Sequence, residues 1–152
     1  LSVLRMRLYI DLNCFNPPFD DQGQERVRRE TDAVFAVLRR IVDGSDTLLW
    51  SWALSFENEK HPKLDRRDEI ALWQGRSERM IGLSAALDKR TREIALQGIH
   101  ALDAAHLASA EVGRAEVFLT CDDLVLRKAP RLGLALRALN PVAYLEEVTS
   151  DG

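Results

Sequence analysis

Two kinds of apolar pattern alternate along the chain. Residues 5–11 close on Leu8, Tyr9 and Ile10 and predict a strand, because a short unbroken apolar run suits a strand covered on both faces. The segment Asn16-Pro17-Pro18-Phe19-Asp20-Asp21 cannot prolong it, since its prolines lack the amide hydrogen a ladder needs, so a functional loop follows. Over residues 24–43, Val27, Val34, Phe35, Leu38, Ile41 and Val42 recur at helical spacing, with Gly44 as a stop. Residues 47–51 predict a second strand and residues 53–60 a helix with acidic outer turns. Residues 65–79 and 84–97 both predict helices, the first opened by an Asp cap and the second closed by Gly98. An Ala-rich helix is expected over residues 101–112 and a third strand over 116–120. A short helix over 124–131, a last strand over 134–139 and a tail after Asn140-Pro141 complete the order.

This alternation predicts an α/β fold: a single domain whose parallel β-sheet is sandwiched between helices, with ligands at the carboxyl ends of the strands. The expected domain spans residues 6–145, with residues 1–5 a vector or upstream remnant ahead of Met6 and residues 146–152 a tail. A long helical insertion is expected between the second and third strands, and no internal repeat is visible.

Composition narrows the class. The chain has 152 residues, the size of one domain, and its 46% hydrophobic and 30% charged residues are those of a globular protein rather than a disordered one. No apolar run reaches membrane-spanning length, and the N-terminus carries no secretory pattern. Cys14 and Cys121 are too few for a secreted disulfide framework, so free thiols and a cytoplasmic location are expected, with an inhibitory disulfide between the site loops as the alternative. The net charge of −3 hides a bias: 17 of the 21 basic residues are Arg, whose planar fork suits phosphate. An Arg- and Ala-rich coding bias gives the same count, so that composition is not decisive.

The strand ends carry acids. Asp11 closes the first strand, Glu57 falls in the helix after the second, and Asp122 lies just past the third. Asp103 sits among Ala104, Leu107 and Ala110, where a lone buried carboxylate would need a cation, a donor or water. Each has a plain structural alternative: a turn former, a solvated helix residue, a helix cap. Carboxylates gathered at one edge repel each other unless something positive intervenes, and an oxygen-rich site suits Mg²⁺ or Mn²⁺. Such ions support phosphodiester hydrolysis without a covalent enzyme intermediate.

The segments Tyr9-Ile10-Asp11-Leu12-Asn13, Ile99-His100-Ala101-Leu102-Asp103-Ala104-Ala105-His106-Leu107-Ala108 and Phe118-Leu119-Thr120-Cys121-Asp122, with Glu57 following Leu48-Leu49-Trp50-Ser51, resemble the PIN-domain ribonucleases, which include toxins of bacterial toxin–antitoxin pairs. The resemblance implies Asp11, Glu57, Asp103 and Asp122 as the catalytic, metal-binding cluster for Mg²⁺ or Mn²⁺. It implies Asn13 and Thr120 as hydrogen-bonding supports and Asp123 as a stand-in for Asp122. It also implies an RNA substrate, a cognate antitoxin protein and a homodimer, the apolar helices after Gly44 suggesting a partner surface. The family generally carries Arg where Pro17 stands, so no guanidinium contact from this loop is implied. Cleavage of single-stranded or looped RNA is the first expectation, and a catalytically idle module binding RNA or protein the second. A DNA-directed nuclease on the same site is a minor third.

Other chemistry finds less support. His100-x-x-Asp103-x-x-His106 spaces two imidazoles around an acid, but no Cys pair completes a zinc site, and His106 reads as a packed or supporting residue. Asp11-Leu12-Asn13 lacks the second acid of an aspartate-nucleophile phosphatase, and no Gly-rich phosphate loop is present. Trp50, Trp52 and Trp73 read as core or interface residues rather than stacking platforms.

Overall fold

The computed structural model describes residues 5–15 and 25–150, and the proline loop expected at residues 16–21 lies outside them. Among the described residues the chain runs β1 (Met6–Ile10), α1 (Leu12–Phe15), α2 (Glu25–Val42), β2 (Asp46–Ser51), α3 (Trp52–Asn58), α4 (Leu64–Ala71), a 3₁₀ turn (Leu72–Arg76), β3 (Ser77–Ile81), α5 (Ala85–Ala95), α6 (Ala101–Val112), β4 (Val117–Leu119), α7 (Asp123–Lys128), a second 3₁₀ turn (Ala129–Arg131), β5 (Arg137–Leu139) and α8 (Pro141–Thr149). The five strands are all parallel, in the order β3-β2-β1-β4-β5. The chain winds outward from β1 through β2 to β3, then returns to the other side of β1 as β4 and β5. Its topological switch point therefore lies between the carboxyl ends of β1 and β4.

Strand period two explains why the central strands have no polar face. Leu8, Tyr9 and Ile10 are all buried, as are Leu48, Leu49 and Trp50, so both sheet faces are covered. One face carries Tyr9, stacked on its register partner Phe118 with centroids 5.3 Å apart, and meets α6 through His106. The other carries Asp46 and Trp50 and meets α1, α2 and α8: Trp50 packs edge-on against Phe15, and Asp46 is gripped by two helices. Arg40 of α2 donates to Asp46 at 2.8 Å and the Tyr144 hydroxyl of α8 at 2.7 Å, which satisfies a carboxylate that is 1% exposed.

Three expectations need correcting. Residues 65–79 are not one helix: the helix ends at Ala71, and Ser77–Ile81 forms β3, pairing with β2 from Leu48 to Ser51. The supposed helical insertion thus contains an edge strand. Its middle residues Glu78, Arg79 and Met80 are exposed, so side-chain patterning does not announce it and backbone pairing makes it. The Asp cap expected for the preceding helix is also displaced, Lys63 being the cap and Asp65 lying inside the first turn. At the other end, the segment after Asn140-Pro141 is not an irregular tail. Asn140 caps α8 by accepting from the Val142 amide at 2.8 Å, and Pro141 supplies the preset φ of a first helical residue.

Tyr144 is fully buried, so α8 is part of the core. Tyr144→Ala should destabilise the protein by about 3–5 kcal/mol and Tyr144→Phe by about 1–2 kcal/mol, read as lower urea midpoints at constant slope. Unchanged midpoints in both variants would show that α8 does not close the fold.

Candidate functional site

Asp11 is the first residue past β1, and its amide donates to the Leu119 carbonyl of β4 at 2.8 Å, which places its side chain at the switch point. It is 4% exposed. One of its oxygens, Oδ2, accepts from the Thr120 hydroxyl at 2.8 Å and from the Asn13 side-chain amide at 3.1 Å. Thr120 directly continues β4 and faces Asp11, while the four-residue α1 turns Asn13 back beneath it. Asn13 Nδ2 also reaches Thr120 Oγ1 at 3.2 Å, and Asn13 Oδ1 accepts from the Cys121 amide at 3.1 Å. These supports are neutral dipoles, so burial dominates and pushes Asp11 up to about 6, with His106 and Thr120 opposing and Glu57 and Asp103 adding to the rise.

A second buried chain fixes Glu57. His106, 0% exposed on α6, binds Glu57 Oε1 through Nε2 at 2.7 Å and the Tyr9 hydroxyl through Nδ1 at 2.7 Å. Tyr9 in turn meets Ser51 Oγ at 2.6 Å, and Ser51 caps α3 by accepting from the Leu54 amide. Burial raises the Tyr9 phenol well above its ordinary range, so it keeps its proton. Whether His106 is neutral or cationic, its Nε2 carries the proton that faces the Glu57 carboxylate. The hydrogen-bonded chain therefore aims Glu57 from the sheet outward, six residues beyond the cap that starts its helix.

The ligand-type atoms of Asp11, Glu57 and His106 lie within 4.8 Å of one another. Asp103 and Asp122 are not in that close group but border it. Asp103 is partly buried, and its carboxyl is raised by burial first and then by the neighbouring Asp122 and Glu57 charges, His106 and His100 working against this. Asp122 caps α7, its Oδ1 accepting from the Leu124 and Val125 amides at 2.9 and 3.2 Å, while its own amide donates to Thr120 Oγ1 at 3.1 Å. The plain capping role weighed for Asp122 is thus present together with its place beside Asp103. Asp123 behaves differently: it is exposed and held by Arg26 through two contacts of 2.7 and 2.9 Å, so its carboxylate is already neutralised.

Sequence reading named the acids and both supports; it read His106 as packed or supporting without assigning it to Glu57, and it missed Tyr9 and Ser51. The missed signal was parity: Tyr9 and Asp11 share a sheet face two residues apart, and Ser51 ends the neighbouring strand on that same face. The donor set suits a hard divalent cation. Among the described residues no Lys or Arg forms an ion pair with Asp11, Glu57, Asp103 or Asp122. Both ring nitrogens of His106 are engaged within the protein, which leaves carboxylate oxygens as the natural ligands.

Strand order, covered parallel sheet and acid-lined switch point together define a PIN-like α/β domain. The fold superposes on the crystal structure of VapBC2 from Rickettsia felis bound to a DNA fragment from their promoter, with a TM-score of 0.59 and 16% identity over 89% of this chain and 98% of that one. No family model and no curated protein matches the sequence.

The raised Asp11 pKa has a measurable sign. Between about pH 4 and pH 6 the native state keeps a proton that the unfolded chain has released, so the metal-free protein should lose stability as pH rises through that window. At neutral pH the cost approaches about 3 kcal/mol. Both donors point at Oδ2, so an asparagine oxygen can replace it there and keep both bonds. Asp11→Asn should therefore stabilise the metal-free protein by about 1–3 kcal/mol at pH 7 and by little at pH 4, measured by denaturant titration. A variant that is less stable at pH 7 would contradict this burial cost.

Proposed function

We propose that this protein is a metal-dependent endoribonuclease that hydrolyses RNA phosphodiester bonds, the toxin of a toxin–antitoxin pair. The observation that carries the reading is a buried carboxylate at the switch point whose partners are neutral and whose neighbours are further carboxylates. A site built only for stability is better made like that of Asp46, with a guanidinium against the carboxylate. In this reading Asp11, Glu57, Asp103 and Asp122 hold Mg²⁺ or Mn²⁺. When bound, such an ion supplies charge neutralisation for the phosphodiester and acidifies water at its surface.

The protein's own groups set the geometry. Thr120 and Asn13 fix one oxygen of Asp11 and leave the other free of protein donors among the described residues. His106 holds Glu57 while Tyr9 and Ser51 hold His106, so that Glu57 keeps its aim without a Lys or Arg contact among the described residues. Asp122 is pinned by two helix amides, which fix the position of its Oδ1. Asp11 and Asp103 are both raised, chiefly by burial, and positive charge at the cluster would lower them. An open strand-end cleft suits single-stranded or looped RNA, whose backbone is accessible without opening a duplex.

A partner groove supports the toxin–antitoxin part of the reading. A cavity of about 360 Å³ lies between α2 and α4, lined by Phe15, Val34, Phe35, Leu38, Ile70 and Trp73 among others. Phe35 is 62% exposed there, an apolar surface suited to an antitoxin peptide, and the VapBC2 structure is named for a pair. In this reading the partner groove takes in α2, which precedes Gly44, as well as the helices after it. No helix among the described residues is long and apolar enough to cross a membrane, in keeping with a cytoplasmic enzyme.

Purified protein should cut mixed RNA in the presence of Mn²⁺ or Mg²⁺ and stop on addition of chelator. Asp103→Asn and Glu57→Gln should each lower cleavage at least about hundredfold with native circular dichroism, whereas His106→Ala should weaken Mn²⁺ affinity about 10–100-fold through loss of Glu57 orientation. Full cleavage by the two carboxylate variants, or by wild-type protein in chelator, would overturn the metal-dependent assignment, whereas no cleavage by wild-type protein with Mn²⁺ would leave the idle binding module as the better account.

A further inference from the structure

Cys14 and Cys121 are separated by 107 residues, yet their sulfurs lie 3.8 Å apart. The fold itself brings them together. Cys14 rides on α1 immediately after β1, and Cys121 leaves the end of β4, the neighbouring strand. Cys14 is 2% exposed and its thiol donates to the Leu119 carbonyl at 3.6 Å; Cys121 is partly exposed. A disulfide needs the sulfurs at about 2.05 Å, so they must close by roughly 1.8 Å.

We propose that Cys14 and Cys121 form a reversible redox site, at which a hydroperoxide closes an intramolecular disulfide that clamps α1 to the β4–α7 turn and weakens the adjacent metal cluster. Closure of the bond stands on thiol geometry alone; its effect on the cluster rests on the metal-dependent reading above. The more accessible Cys121 reacts first: its sulfur takes an OH from hydrogen peroxide, giving a sulfenic acid and one water. The Cys14 sulfur then attacks the Cys121 sulfur, and hydroxide leaves with the thiol proton as a second water. Two thiols lose two hydrogens and two electrons, and one peroxide becomes two waters. A dithiol reverses the bond by exchange. In a reducing compartment such a pair serves as a switch rather than a permanent staple.

Asn13 couples the thiols to the acids. Its Oδ1 accepts from Cys14 Sγ at 3.4 Å and from the Cys121 amide at 3.1 Å, while its Nδ2 holds Asp11 and Thr120. Drawing the sulfurs together moves both groups that position the Asn13 carboxamide, and Cys121 is the direct neighbour of Asp122. Oxidation therefore acts on two carboxylates of the cluster without touching their oxygens.

The test uses the full chain, reduced and peroxide-treated, with alkylation, peptide mapping and calorimetric Mn²⁺ titration. The expected result is a monomer lighter by two hydrogens, a Cys14–Cys121 cross-linked peptide, and Mn²⁺ affinity at least about tenfold weaker until dithiothreitol restores it, the scale seen when groups supporting metal ligands are disturbed. Cys121→Ser should form no cross-link and keep its Mn²⁺ affinity through peroxide treatment; being partly exposed, it is the safer variant if Cys14→Ser fails to fold. Free alkylation of both thiols after peroxide, or oxidation of Cys121 to sulfinic acid without a cross-link, would overturn the redox site. A cross-linked protein that binds Mn²⁺ as tightly as the reduced one would overturn the coupling. Reduced protein that binds no Mn²⁺ would instead count against the nuclease reading and leave the cross-link result intact.

Discussion

The structure turns on one unfavourable placement, an aspartate buried at the switch point of a parallel sheet with neutral partners. Two neighbouring strands present their carboxyl ends side by side, and the first residue past β1 is tied by its amide to the last residue of β4. That backbone bond commits the Asp11 side chain to the interior, where Thr120 and Asn13 offer dipoles but no full charge. The remaining deficit is what a cation would satisfy, and it explains why the carboxyl is raised rather than lowered.

The same molecule shows the alternative solution. Asp46 is buried at the opposite, amino-terminal end of β2, yet Arg40 and Tyr144 meet it directly. Glu111 pairs with Arg90, and Asp123 with Arg26. Guanidinium groups are thus supplied wherever a carboxylate serves to join elements, and withheld at the strand-end cluster. In place of an arginine, Glu57 is held by a hydrogen-bonded chain through His106, Tyr9 and Ser51, which orients it. A stabilising network would not normally tolerate that arrangement, since unpaired buried charge costs more than the pair itself returns.

How much of the fold was legible depended on where each element buries its side chains. The central strands are apolar on both faces and α2 has one strongly apolar stripe, so both announced themselves. β3 did not, because its middle residues face solvent and its existence depends on the hydrogen-bonding edge of β2. α8 carried a readable start in Asn140-Pro141, but its reason to fold back is the distant Asp46 that its Tyr144 caps. Local sequence does not encode such a partner.

At the site, the sequence by itself determined the chemistry on offer: carboxylates at three strand or helix ends and one on an Ala-rich helix, with Asn13 and Thr120 beside them. Residue type and element order suffice for that, because parallel strands separated by helices must put their carboxyl ends on one edge. Only the tertiary structure decided the division of labour. It gave Asp123 to Arg26, made Asp122 a helix cap as well as a neighbour of Asp103, and set His106 between Tyr9 and Glu57. It also brought two cysteines 107 residues apart into van der Waals contact. The pairings of Asp123 with Arg26, of His106 with Tyr9 and Glu57, and of the two cysteines join residues 49 to 107 positions apart, and such contacts come from packing rather than from any local run of sequence.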